Sequence, residues 1–124
     1  MTVRPRRIQR RRVRGWHRPR GATIVDRTSR YGNPFTIGAA RTAGFPDPRQ
    51  TVVDQHRRWL DGDPAYPDTY QVGRRTFDRR WVNAHLHELA DRDLCCPCPP
   101  GAVCHADTLL ERANRRNNHH DQAG

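Results

Sequence analysis

The chain has 124 residues, which is the length of about one domain. Only 34% of the residues are hydrophobic, counting cysteine, so the core must be thin and part of the chain must lie outside it. No apolar run approaches a membrane span or a signal-peptide core, and we therefore expect a cytoplasmic protein. Four cysteines in such a reducing setting indicate metal binding or thiol chemistry rather than disulfides.

The positive charge is concentrated at the start of the chain. Residues 1–20 contain nine arginines and no acidic residue, whereas the remainder has fourteen arginines against thirteen acids. Such an arm would bind nucleic acid or another polyanion through phosphates, with Trp16 stacking on bases; a solvated tail is the alternative. The candidate nucleic-acid contacts are Arg4, Arg6, Arg7, Arg10, Arg11, Arg12, Arg14 and Trp16.

These patterns predict a basic arm over 1–14, one domain over 15–114 and a polar tail over 115–124. Alternation of arginine with Ile8 and Val13 leaves two alternatives for the arm, an exposed edge strand or a disordered segment. The domain is predicted to be α/β (or α+β), with a small single-layer sheet covered by about three helices.

The first predicted strand covers 22–26, where the sequence is Ala-Thr-Ile-Val-Asp. A shaped loop follows over 29–35. In this loop Gly32 permits a positive φ, and Pro34 favours an extended Asn33. The pattern therefore predicts a polar side chain, Asn33, presented on a defined loop.

Two helices are predicted in the middle of the chain. The first begins near Thr51 and ends at Leu60, where Asp-Gly-Asp-Pro terminates it. A loop over 63–73 leads to the second helix, which runs from Phe77 to Leu89 with Thr76 as its N-cap.

The last elements are a short strand over 94–96, a rigid Pro- and Gly-rich loop, and a third helix that begins at Cys104 or His105 and ends near Ala113. A strand end that feeds a helix N-terminus is a common ligand site in open α/β sheets. The helix start also favours anions and thiolates. We therefore expect the chemistry of this protein to lie between these two elements.

Three interpretations of the cysteine segment stay open. A zinc site would use Cys96, Cys98, Cys104 and His105, although adjacent residues 104 and 105 fit one ion awkwardly. A catalytic thiol at Cys98 or Cys104 would be activated by His105 and the helix end. The third interpretation is that the cysteines only pack. If Cys95 faces the core, strand alternation turns Cys96 and Cys98 together towards the other side.

Several segments together resemble a known family. They are Arg7 to Arg12, Gly15-Trp16, Gly32 to Phe35, Leu94 to Cys98, and Cys104 to Asp107. They resemble the domain of unknown function four-three-two-six, a family common in phages and actinobacteria, over about residues 6 to 114. Tyr31 and Pro97 stand where that family usually has tryptophan. The resemblance implies a compact α/β domain, and its carried-over positions are Asn33, Cys96, Cys98, Cys104 and His105.

The implied pattern places a polar loop residue beside a Cys-His segment, which is typical of a ligand pocket. The expected ligand-binding residues are Arg30, which suits a phosphate, Asn33 and Asp107; Asp107 could also complement the helix dipole. We expect a nucleotide- or nucleic-acid-associated protein with such a pocket. The alternatives are a non-catalytic zinc-binding nucleic-acid module and purely structural cysteines, and the sequence leaves open whether the protein is an enzyme.

Overall fold

The computed structural model describes residues 4–115, which contain four α-helices, one 3-10 helix and five strands in two small sheets. The elements in chain order are β1 (Arg7–Gln9), β2 (Thr23–Ile24), α1 (Ile37–Thr42), α2 (Pro48–Leu60), β3 (Thr69–Val72), β4 (Arg75–Asp78), α3 (Arg79–His85), the 3-10 helix (Leu86–Leu89), β5 (Leu94–Cys96) and α4 (His105–Ala113). This content confirms the predicted mixed α/β class. Most of the predicted tail, 116–124, lies outside the described residues.

Strand β5 is the centre of a three-stranded sheet, and β1 and β2 pair with it in parallel, one on each side. Ile8 and Ile24 both lie opposite Cys95 in the register. Of the two alternatives for the arm, residues 7–9 therefore take the edge strand. Ile8 is half-buried in this strand, whereas Val13 is 59% exposed beyond it.

The parallel arrangement decides where the chain leaves the sheet. Because all three strands run the same way, their carboxyl ends meet at one edge. The segments that follow them, 10–12, 25–28 and 97–99, therefore gather at that edge. Ligands of open α/β sheets bind outside the carboxyl ends of the strands.

The helices enclose a core that includes Trp59, Leu94 and Leu109, each 0% exposed. Helix α2 begins three residues before its predicted start, because Asp47 caps it by accepting from the Gln50 N–H and Pro48 takes the first helical position. None of the helices within residues 4–115 is long and apolar enough to cross a bilayer.

The second predicted helix, over 77–89, is wrong at its start and is divided. Phe77 belongs to β4, where it lies opposite Tyr70 and is 1% exposed. Asp78, rather than Thr76, is the N-cap, since its carboxylate accepts from the Arg80 N–H at 2.9 Å. A large apolar residue fits a half-buried strand as well as a helix face, so the periodicity of this segment did not separate the two.

Helix α1 and the β3–β4 hairpin were not predicted from the sequence. The hairpin turns at Gly73 and Arg74, and Gly73 has a positive φ of 61°. Glycine at the first position of a two-residue turn is a sequence signal for such a hairpin. Helix α1 is only six residues long. Its N-cap is Thr36, whose hydroxyl accepts a hydrogen bond from the Ala39 N–H.

Candidate functional site

A cavity of about 320 Å³ opens at the carboxyl edge of the parallel sheet. One wall is the loop that carries Asn33 and Phe35, and the opposite wall is the cysteine segment. The first turns of α2 and the end of the arm complete it. Its lining residues are Arg12, Asp26, Arg27, Thr28, Asn33, Phe35, Ile37, Arg49, Val52, Val53, Cys96, Pro97, Cys98, Pro99, Val103, Cys104 and His105.

Asn33 holds its loop against α2. Its side-chain Nδ2 donates to the Val52 carbonyl at 3.0 Å, and its Oδ1 accepts from the Phe35 N–H at 2.9 Å. Gly32 does not have the positive φ that glycine would permit at this position. A Cβ at Gly32 would instead lie 2.7 Å from the Asp26 carbonyl oxygen, so this position requires glycine for lack of space.

Two arginines near this loop have different surroundings. Arg27 lines the cavity and donates to the carbonyl oxygens of Asn33 and Phe35, at 3.2 and 3.0 Å. Arg30, which the sequence analysis proposed as a phosphate ligand, does not line the cavity. Its guanidinium carbon lies 3.9 Å from the ring centroid of Trp81.

Three of the four cysteines converge on the cavity. The sulfur atoms of Cys96, Cys98 and Cys104 all lie within 4.8 Å of one another, and those of Cys96 and Cys104 are 3.2 Å apart. Cys95 is buried but is not part of this group. Cys96, and not Cys95, belongs to the main core cluster, so its buried sulfur reaches the cavity from the core side of β5. These three cysteines could hold a metal ion.

Cys104 is the N-cap of α4 and is surrounded by donors. Hydrogen bonds from the thiols of Cys96 and Cys98, with further support from the Ala106 N–H and Arg7, outweigh burial and lower the pKa of Cys104. The same interaction raises the pKa of Cys96, whose thiol donates to Cys104. The cluster therefore favours negative charge on Cys104.

His105 lies beside this cluster in a fixed orientation. Its Nε2 is 2.6 Å from the Val25 carbonyl oxygen, which can only accept, so Nε2 carries the proton. The other ring nitrogen, Nδ1, lies 3.7 Å from the Cys104 sulfur. Burial lowers the pKa of His105, although the bond to Val25 opposes this, and the neutral ring is favoured.

Asp107 completes the start of α4. Its carboxylate accepts from the Cys104 N–H at 3.2 Å, forming a capping box with the Cys104 side chain. It also lies 3.6 Å from Arg7. Asp107 therefore fixes the position of Cys104, and it does not line the cavity.

Comparison with known proteins places the chain in a family. Residues 8–115 match the family described as domain of unknown function DUF4326. The chain belongs to this family. No curated protein and no solved structure matches it. The matched residues include both walls of the cavity and all four cysteines of this DUF4326 chain.

The arginines of the DUF4326 arm divide between half-buried and exposed positions. Arg7 is only 12% exposed at its side chain, and Arg10 forms an ion pair with Asp26 at 2.6 Å. Burial alone would raise the pKa of Asp26, but hydrogen bonds from Thr28 and the Arg10 ion pair lower it. The remaining candidate contacts are exposed except the half-buried Trp16; they are Arg4, Arg6, Arg11, Arg12 and Arg14.

His56 lies in helix α2 and is fully buried in this domain. It is 0% exposed, and neither ring nitrogen has a hydrogen-bond partner among residues 4–115. Its ring centroid is 5.2 Å from that of His105. Burial, with His105 and two nearby arginines adding to it, holds the pKa of His56 well below its usual value.

Replacing His56 by leucine is expected to raise the free energy of unfolding by about 1 kcal/mol at pH 7, because an unpaired buried polar group costs about 1–3 kcal/mol. Denaturant unfolding measures this change. The exposed His87, replaced by leucine, is the control and should change stability by less than about 0.5 kcal/mol. A clear loss of stability in the His56 variant would show that the His56 ring has a hydrogen-bond partner in the folded protein.

Proposed function

We propose that this protein binds a small phosphate-bearing ligand, of mononucleotide size, in the cavity between the Asn33 loop and the cysteine segment. The observation that carries the proposal is the composition of the cavity wall. Three arginines line it, Arg12, Arg27 and Arg49, against a single carboxylate, Asp26. This carboxylate is already paired with Arg10, which lies outside the lining.

The charge of the cavity supports an anionic ligand. Guanidinium groups bind phosphate oxygens through two parallel N–H donors, which makes arginine the preferred side chain for this purpose. The start of α4 also lies on the cavity, but its dipole already acts on the Cys104 side chain and the Asp107 carboxylate, which cap the helix. The three arginines therefore supply the positive charge for the ligand.

The shape of the cavity supports a ligand with an apolar part. A volume of about 320 Å³ lies at the lower end of the range for small-molecule sites. Beside the arginines, the wall is apolar, with Phe35, Ile37, Val52, Val53 and Val103. A phosphate joined to a flat heterocycle would match both parts of this wall. The proposed ligand class is therefore a nucleoside phosphate.

The phosphate requirement can be tested by calorimetric titration with AMP and with adenosine. AMP is expected to bind at least about tenfold more tightly, since a charge-assisted hydrogen bond contributes about 1.5–3 kcal/mol. Replacing Arg49, which is half-buried, by glutamine should weaken AMP binding by about tenfold. The control is Arg74→Gln, in the exposed hairpin turn outside the cavity, which should bind as the parent does. Equal binding of AMP and adenosine, or none of either, would contradict the proposal.

A second candidate function is nucleic-acid contact by the arm. It is favoured by the exposure of Arg4, Arg6, Arg11 and Arg14, in a stretch of twenty residues without any acid. Arg12 is exposed as well and reaches the cavity. We expect weak binding with little sequence preference, since exposed arginines reach phosphates and not base edges.

This candidate predicts a steep dependence of duplex affinity on salt. Deleting residues 1–14 would be a poor test, because β1 and the Arg10–Asp26 ion pair would be lost with the arm. The double change Arg11→Gln and Arg14→Gln keeps both. It should reduce the slope of log affinity against log salt by about 0.9 for each phosphate contact removed. A fluorescence anisotropy titration measures this slope, and a salt-independent affinity would contradict the prediction.

A further inference from the structure

The cysteine cluster of the cavity wall has the donors and the charge balance of a closed metal centre. We infer that Cys96, Cys98, Cys104 and the Nδ1 atom of His105 bind one zinc-class ion, and that the half-buried Arg7 balances its charge. This inference concerns the cavity wall itself and stands apart from the ligand that the cavity takes.

The three sulfur atoms are already close to the spacing that such an ion needs. A tetrahedral zinc ion with Zn–S bonds of about 2.3 Å separates its sulfur ligands by about 3.8 Å. The sulfurs of this cluster lie within 4.8 Å of one another, with Cys96 and Cys104 at 3.2 Å. These separations lie on both sides of the tetrahedral spacing.

His105 has the arrangement that is typical of a metal-binding histidine. Such histidines donate their second ring N–H to a carbonyl or carboxylate, which fixes the tautomer and leaves the other nitrogen free to bind. Here Nε2 lies 2.6 Å from the Val25 carbonyl oxygen, and Nδ1 lies on the side of the Cys104 sulfur, 3.7 Å away. The adjacent residues 104 and 105 therefore place their donor atoms 3.7 Å apart. The His105 ring lies outside the group of three sulfurs within 4.8 Å of one another, so it must turn towards the ion to complete the site.

The charge around the cluster also fits a bound ion. Three thiolates, a neutral imidazole and a divalent cation leave one net negative charge in a buried place. Arg7 lies beside Cys104, with its Nη2 donating to the Pro99 carbonyl at 3.2 Å. Its buried Nη1 has no hydrogen-bond partner among residues 4–115 and lies 3.6 Å from the Asp107 carboxylate, with which Arg7 forms an ion pair. A fixed cation between Asp107 and the cluster lowers the cost of that buried negative charge.

A bound ion would also explain how the loop that carries Cys98 is held in place. Residues 97–103 contain no helix or strand, and the prolines at 97, 99 and 100 are exposed. Cys98 is the residue of this loop that joins the cluster. A metal ion would therefore fasten the loop between β5 and α4 and make the cavity wall rigid.

The experiment uses the full chain, purified untagged and without a metal-chelate column. We expect about one equivalent of zinc by elemental analysis. We also expect cobalt(II) alone, added to the metal-stripped chain, to give the visible spectrum of a tetrahedral thiolate site. Cys98→Ser should lower cobalt affinity by at least about 100-fold, because loss of a surrounding residue alone costs about 10- to 100-fold. Cys95→Ser, outside the cluster, is the matched control and should bind as the parent does.

Three further variants test the separate roles of His105 and Arg7. His105→Gln should shift the cobalt d–d bands, since a nitrogen ligand is lost. Arg7→Gln should weaken cobalt binding by about 10- to 100-fold without altering those bands, and Arg7→Lys should restore affinity. A metal-free chain that takes up no cobalt, or uptake that Cys98→Ser leaves unchanged, would overturn the site. A cobalt spectrum unaffected by His105→Gln would overturn the role of His105, and unchanged affinity in Arg7→Gln would overturn that of Arg7.

Discussion

Replacing Gly32 by alanine is expected to destabilise the protein by about 2 kcal/mol or more, because the new methyl group has no space. The Cβ would lie 2.7 Å from the Asp26 carbonyl oxygen and 2.8 Å from the Arg27 Cα. Both are backbone atoms, which cannot move aside as a flexible side chain would. The segments on either side of the contact line the cavity, so AMP binding should weaken with stability. Denaturant unfolding and the AMP titration measure the two effects.

Gly38 provides the matched control for this prediction. It lies in α1, and no atom within 4 Å would meet an added Cβ. Alanine is preferred to glycine in a helix interior by about 0.5–1 kcal/mol, so Gly38→Ala should leave stability unchanged or raise it. Equal stabilities of the two variants would show that the Gly32 loop does not approach Asp26 as closely as described.

Removing the metal is the second change with a large expected effect. A ligand that binds only the folded state stabilises it by about 4 kcal/mol when its free concentration is about 1,000 times its Kd. A chelator should therefore lower the free energy of unfolding by about that amount in the parent chain and in Cys95→Ser. In Cys98→Ser the free energy of unfolding should already be lower by that amount, and the chelator should change it little. Zinc-dependent unfolding curves of the three proteins measure these differences.

A free energy of unfolding that changes with neither chelator nor added zinc would contradict this prediction. The comparison with Cys95→Ser separates metal binding from packing, because Cys95 is buried yet lies outside the cluster. If the two cysteine variants lose stability equally and neither responds to zinc, the cysteines act only as small core residues.

The cavity wall formed by the cysteine segment could be predicted from local sequence signals. The strand over 94–96 and the helix that starts at Cys104 or His105 both agree with the structure. A short apolar run before prolines predicts the strand, and an apolar period of 3.6 with an acid in the first turn predicts the helix. The sequence could not show which sulfurs meet, since Cys104 approaches Cys96 only through the packing of α4 on β5.

The opposite wall of the cavity was harder to predict from the sequence, because its structure depends more on tertiary packing. The shaped loop around Asn33 was predicted, but the reason for Gly32 is a contact with Asp26 that no local pattern encodes. The parallel pairing of β1 with β5 joins residues 7 and 94, which are far apart in sequence. The basic run therefore predicts a nucleic-acid contact at Arg7, although the structure holds this half-buried side chain beside Cys104. The role of an arginine in a basic run depends on such long-range pairing.

The most direct test of the proposed function is an NMR titration of the isotope-labelled chain with AMP, followed through its backbone amides. If AMP occupies the cavity, the largest shifts should fall on the two facing walls, at Asn33, Phe35, Cys98 and Cys104, and on Arg49 between them. Adenosine at the same concentrations should produce much smaller shifts. AMP-induced shifts confined to the exposed arm, or an unchanged spectrum at millimolar AMP, would contradict the proposal that this cavity is a phosphate-ligand site.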